Sequence, residues 1–102
     1  MSGLSMQRVA PMSEAYVFFT FTHYLDAAVR EGLQVIDVYG GAPHLWLEGW
    51  SADKSRRMRE QIDSRGLSVC SYTPEQVAYA ENIAAADDDL RRASVEYFRR
   101  HL

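Results

Sequence analysis

One stretch of sequence decides the fold: Val35-Ile36-Asp37-Val38-Tyr39-Gly40-Gly41-Ala42-Pro43-His44-Leu45-Trp46. It begins with apolar, β-branched and aromatic residues, which favour a buried strand, and then passes through two glycines and a proline into a shaped loop. In α/β proteins, the loops at the carboxyl ends of parallel strands bind ligands. Tyr39, His44 and Trp46 are therefore the first candidates for a binding pocket.

Helical patterns lie on both sides of this stretch. Apolar residues spaced at i, i+3, i+4, i+7 and i+8 predict a helix over residues 21–31, ended by Gly32. A second helix is predicted over residues 53–65, ended by Gly66, with most of its surface charged. A third is predicted over residues 88–101, where acids in the first turn and bases in the last match the helix dipole.

The segments after the first two helices resemble each other. Gly32-Leu33-Gln34-Val35 and Gly66-Leu67-Ser68-Val69 both introduce a predicted strand, over residues 33–39 and 67–72. Recurring helix, glycine and strand indicate βα units with parallel strands and right-handed crossovers. An earlier strand has two candidate positions, residues 16–19 by propensity and residues 8–12, where Pro11 cannot donate to a ladder.

Three parallel strands with open edges make a poor independent domain. At the spacing of the two glycine segments, a fourth strand would begin near residue 100. A sequence of 102 residues leaves no room for that strand. We therefore expect an α/β chain that supplies part of a larger repeating fold.

Composition excludes several classes of function. A net charge of −3 and a single lysine, Lys54, argue against a nucleic-acid partner. No run of about 18 apolar residues is present, so no membrane association is expected. Cys70 is the single cysteine and is expected to be a small buried strand residue, which fits a cytoplasmic protein without disulfides.

Several motifs resemble the fructoselysine 3-epimerase family of the xylose isomerase-like sugar isomerase/epimerase superfamily. The segment from Ile36 to His44 is similar to that family's second-strand signature, an acid and an aromatic followed by Gly-Gly-X-Pro-His. Tyr72-Thr73-Pro74-Glu75, followed by Ala78, Tyr79 and Asn82, is similar to its third-strand loop, and Arg91-Arg92-Ala93-Ser94 to the start of its third helix. Ala80 and Glu81 stand where the family carries a proline and a tyrosine.

The resemblance implies that residues 1–102 form the N-terminal three βα units of a TIM (β/α)8 barrel, truncated, with the first strand at residues 9–12. It implies a divalent metal such as manganese, cobalt or magnesium, held by two glutamates, an aspartate and a histidine on later strands, so that no metal ligand or catalytic residue is expected in this chain. The implied reaction is epimerisation or isomerisation of a ketose or Amadori-type sugar amine, with proton transfer next to the carbonyl. The isolated chain is expected to be inactive.

The predicted substrate-binding residues are Tyr16, Tyr39, His44, Trp46 and Glu75. Each has a structural alternative: a histidine in such a loop also fixes it by bonding a backbone carbonyl, a tryptophan also packs over the sheet end, and a glutamate also caps a turn. Asp37 lies inside a strand and is expected to act as a structural acceptor rather than as a base. His101, at a helix end, is expected to be solvated.

A second hypothesis belongs to another class: a non-catalytic interaction module that forms a homo-oligomer through its open sheet edges. The endonucleases of the same barrel superfamily are a third, but they would require a basic groove and metal-binding histidines, which the sequence does not show. Size in solution discriminates the second hypothesis from the first.

Overall fold

A computed structural model of the chain describes residues 5–75 and 80–102. Within them the chain forms a mixed α/β arrangement of three helices and a two-stranded parallel sheet. The elements are, in order, 3-10 turns at Met6–Arg8 and Ser13–Tyr16, helix α1 (Phe21–Arg30), strand β1 (Val35–Gly40), helix α2 (Ala52–Ser64), strand β2 (Ser68–Pro74) and helix α3 (Asp88–Arg100).

The two strands pair in parallel, as the recurring βα units predict. Val35 lies opposite Ser68 and Gly40 opposite Pro74, with one shift in register after Ile36. Both strands begin one or two residues later than predicted and extend further, and the helices end one residue earlier than predicted. Parallel strands joined by a helix occur in many α/β folds, so the barrel remains a proposal.

The segment at residues 9–12 does not form the expected strand. It makes a single parallel bridge, between Met12 and Asp37, and the Asp37 N–H donates to the Pro11 carbonyl at 3.0 Å. The physical reason is local: Pro11 has no N–H with which to continue a ladder, and the chain turns into the 3-10 turn at Ser13–Tyr16 directly afterwards.

The core lies between α1, α2 and one face of the sheet. Burial alternates along β1, so that Ile36 and Val38 point toward the helices while Asp37 and Tyr39 lie on the opposite face. The buried cluster comprises Tyr24, Leu25, Ala28, Ile36, Val38, Ile62 and Leu67. Burying these apolar side chains is the main source of stability for this part of the chain.

Each helix begins at a residue whose side chain accepts a backbone hydrogen bond. Thr20 accepts from the His23 N–H, Ser51 from Lys54 and Asp87 from Leu90. Such N-caps satisfy one of the unpaired N–H groups of the first turn and fix where the helix starts.

Strand β2 is less covered than β1. Val69 is 48% exposed and the Cys70 thiol is also exposed. The expectation of a buried Cys70 was wrong because the register shift leaves this residue without an opposite partner on β1, in the part of β2 that the helices do not cover.

Candidate functional site

The glycine pair at the end of β1, Gly40 and Gly41, lies against two aromatic rings. A Cβ on Gly40 would overlap the Tyr72 phenol, and a Cβ on Gly41 would overlap the Tyr39 ring. The loop then continues through a cis Ala42–Pro43 peptide bond. A larger residue at either position would force one of these rings to move, which is a physical reason for the Gly-Gly pair.

Asp37 joins the two strands on the face opposite the helices. Its Oδ2 accepts a hydrogen bond from Ser71 Oγ at 2.6 Å, and the Thr73 hydroxyl lies 3.1 Å from both carboxylate oxygens. The prediction that Asp37 acts as a structural acceptor is confirmed. Hydrogen bonds to the charged form are what make a carboxylate tolerable inside a strand.

His44 fixes the loop to the segment before α1. It is 9% exposed, and its Nε2 donates to the Phe19 carbonyl at 2.7 Å, while its ring meets the Phe21 ring edge-on. With Nε2 carrying the proton, Nδ1 of a neutral imidazole is an acceptor, and Nδ1 has no hydrogen-bond partner among the described residues. This is the structural alternative named for His44; its role toward a substrate stays a prediction.

Tyr16 and Tyr39 have different neighbours. The Tyr16 ring belongs to an aromatic cluster at the start of α1, with its centroid 5.4 Å from that of Tyr24 and 6.0 Å from that of His23. Tyr39 lies on the open sheet face beside Asp37, and its N–H donates to Ser13 Oγ at 2.9 Å.

Glu75 lies at the carboxyl end of β2 and is buried. Its N–H donates to the Gly40 carbonyl at 3.2 Å, and its carbonyl accepts from the Tyr97 hydroxyl at 3.1 Å. Its backbone therefore connects the ends of both strands to α3.

Trp46 lines a cavity of about 240 Å³ between the loop after β1 and the end of α3, whereas His44 lines a separate cavity against α2. The structure therefore does not bring the predicted residues to a single pocket. Ala78 and Tyr79, which the resemblance also uses, lie outside the described residues.

The sequence analysis did not predict the polar and charged residues that line the Trp46 cavity: Glu48, Glu81, Tyr97, Arg100 and His101. His101 was expected to be solvated, but it is half-buried and its Nδ1 hydrogen-bonds the Tyr72 hydroxyl. Burial and then the Arg100 charge lower the pKa of His101, with Glu81 acting in the opposite direction. Burial and then Tyr97 raise the pKa of Tyr72 to about 12, so its hydroxyl keeps its proton near neutral pH.

The resemblance implies that the metal ligands lie on later strands, outside this chain. Across residues 5–75 and 80–102, no three or more His, Cys, Asp or Glu side chains are grouped so that they could hold a metal ion. No chemical step is therefore assigned to a metal on this chain. In the same ranges no helix has the length and apolar character needed to cross a bilayer.

Comparison with known proteins finds similarity to two curated enzymes. The chain is 25% identical over 77 residues to the fructoselysine 3-epimerases of Escherichia coli O157:H7 and Shigella flexneri. The match covers 76% of this chain and 28% of each relative, so the chain spans little more than a quarter of their length. No family model and no solved structure matches. The similarity supports a distant relationship to sugar isomerases and epimerases.

Proposed function

We propose that this chain is the N-terminal portion of a metal-dependent sugar epimerase or isomerase of the fructoselysine 3-epimerase type, built on a TIM barrel. The observation that carries the proposal is the 77-residue match to two fructoselysine 3-epimerases. The parallel pairing of β1 and β2 across an intervening helix is compatible with two neighbouring units of such a barrel.

The name of the relatives indicates the reaction: inversion at carbon 3 of fructoselysine, a ketose joined to lysine through an amine. Carbon 3 lies next to the carbonyl, so its proton can be removed and returned on the other face. This requires a base of suitable pKa and an electrophile that stabilises the enediolate oxygens. Asp37 is already held by two hydroxyl groups, so we assign no base to this chain and place base and metal ligands on further strands.

In this proposal the chain contributes pocket wall. Tyr16, Tyr39, His44, Trp46 and Glu75 remain the proposed contacts, with sugar hydroxyls or the amine as their partners. Trp46 and His44 line different cavities, so in this proposal the further strands of the barrel determine which of the five residues contact the substrate.

The native gene provides the first test. We expect an in-frame continuation after codon 102 that carries Glu, Asp, His and Glu at the ends of successive strands. Solvent exchange provides the second test: with manganese or cobalt in D₂O, the extended protein should incorporate deuterium at carbon 3 of fructoselysine, and the 102-residue chain should not. Exchange catalysed by the short chain alone, or a continuation without such carboxylates, would contradict the proposal.

A second candidate, an interaction module that self-associates, is favoured by one observation. β2 pairs with β1 along one edge, while its other edge has no partner strand among residues 5–75 and 80–102. Unpaired strand edges are templates for pairing with another chain. Sedimentation discriminates between the two: a stable, monodisperse dimer favours the module, whereas a monomer or ill-defined aggregates favour an incomplete barrel.

A further inference from the structure

The cavity beside Trp46 has the size and walls of a small-ligand site. Its volume is about 240 Å³, below the range of roughly 300–1,000 Å³ that is usual for larger organic ligands. The apolar part of its wall comes from Trp46 and Leu47, and the charged part from Glu48, Glu81 and Arg100. An apolar wall with a few convergent polar groups is the usual form of a binding pocket.

Two polar atoms at this cavity are buried without a partner. Glu81 Oε2 and His101 Nε2 are both inaccessible to solvent, and neither forms a hydrogen bond within the described part of the chain. The other ring nitrogen of His101 is engaged by the Tyr72 hydroxyl, which orients the ring. Buried polar groups without partners cost free energy, and a ligand that supplies a donor to Glu81 would remove that cost.

The charges of the cavity define the ligand further. Glu81 is half-buried, whereas Glu48 and Arg100 line the cavity from exposed positions, and Arg100 forms no ion pair with any described residue. A guanidinium pairs best with a carboxylate, and carboxylates pair with ammonium groups. Two acids and one base are the complement of a molecule with two ammonium groups, one carboxylate and an aliphatic body.

We propose that this cavity binds a small basic α-amino acid, of which lysine is the simplest probe. Arg100 holds its carboxylate, Glu81 and Glu48 its two ammonium groups, and Trp46 its methylene chain. The inference stands on the cavity itself. It also deepens the proposed function, because the lysine end of fructoselysine belongs to the same chemical class. Only this link to fructoselysine rests on the proposed function.

The test is a titration of the 102-residue chain with lysine, followed by the indole N–H signals of ¹⁵N-labelled tryptophan. The Trp46 signal should shift in a saturable manner at millimolar lysine. Trp50 is an internal control, since it lies outside the cavity wall and its indole N–H donates to Ser55 Oγ at 2.7 Å. Norleucine, which lacks the side-chain ammonium, and lysinamide, which lacks the carboxylate, should each bind about tenfold more weakly.

Matched variants identify the groups. Arg100→Gln should weaken lysine binding about tenfold and leave lysinamide binding unchanged. Arg99→Gln is the control, because Arg99 lies on the same helical turn but faces Glu96 at 3.7 Å on the surface. Glu81→Gln should reduce the preference for lysine over norleucine.

Three outcomes would overturn the proposal: no saturable shift of Trp46, equal responses to lysine and norleucine, or equal effects of the two arginine variants. The titration uses neither sugar nor turnover. Its failure would therefore leave the epimerase proposal standing, and failure of the exchange assay would leave this site standing.

Discussion

The Tyr24 hydroxyl connects the segment before α1 to the sheet, and its removal tests this connection. Tyr24 is 1% exposed, and its hydroxyl donates to the Pro11 carbonyl at 2.6 Å, with the Asp37 carbonyl at 3.0 Å. Burial, and then the Asp37 charge, raise the pKa of this phenol far above its ordinary value, so it remains a donor across the accessible pH range. Tyr24→Phe keeps the ring and removes only the donor.

The expected loss of stability follows from the single proton that the Tyr24 hydroxyl can donate. One hydroxyl proton makes one full hydrogen bond, worth about 1 kcal/mol net, and a buried carbonyl left without a partner adds up to about 2 kcal/mol. The Pro11 carbonyl keeps a second partner, the Asp37 N–H at 3.0 Å, so it is not fully stranded. We therefore expect Tyr24→Phe to lower the free energy of unfolding by about 1–2 kcal/mol.

Urea denaturation followed by circular dichroism measures this loss, and thermal unfolding should show a fall in Tm of about 4–8 °C per kcal/mol. The matched control is Tyr16→Phe. The Tyr16 ring packs against Tyr24, but its hydroxyl forms no hydrogen bond within the described ranges, so the change should stay within about 0.5 kcal/mol. Equal losses in the two variants, or a Tyr24→Phe protein as stable as the parent, would refute the reasoning.

Two further predictions concern α3. Ser94 is buried, donates to the Leu90 carbonyl at 2.7 Å and accepts from the Asn82 N–H at 2.7 Å. Ser94→Ala should therefore lower the free energy of unfolding, measured by urea denaturation, by about 1–3 kcal/mol. Unchanged stability would contradict this. The pKa of His101 is lowered from 6.5 by burial and by Arg100, so below about pH 6.5 the unfolded chain binds more protons than the folded one. Stability should therefore fall as the pH drops through this window, and His101→Gln should reduce the fall; parallel pH profiles for the two proteins would count against it.

Helical periodicity located α1 but not the full width of its buried face. The stripe predicted from the sequence included Tyr24, Leu25 and Ala28, which are buried, and also Val29, which is exposed. Ala27, absent from the stripe, is buried. Periodicity gives the direction of a helical face, whereas its width depends on which neighbouring elements pack against it, and that information is not local.

In the candidate site, too, features set by the local sequence were predictable and features set by packing between distant elements were not. The role of Asp37 was predictable because a carboxylate inside a strand needs hydrogen-bond donors wherever the strand lies. The cavity beside Trp46 was not predictable, because it depends on where α3 ends relative to the loop after β1. Arg100 and His101 had a sufficient local explanation as charges that complement a helix dipole, so nothing in the sequence distinguished them as cavity residues.

The exposed thiol of Cys70, at the register shift of β2, makes it possible to measure whether another chain segment covers this strand. Cys70 is the single cysteine in the sequence, so a maleimide dye would label one known position. Any chain segment that docked along this strand, whether from further barrel strands or from a second copy, would shield the sulfur and slow the labelling. If the chain is extended as proposed, a slower rate of dye attachment in the longer form than in the 102-residue chain would show that the added strands cover Cys70.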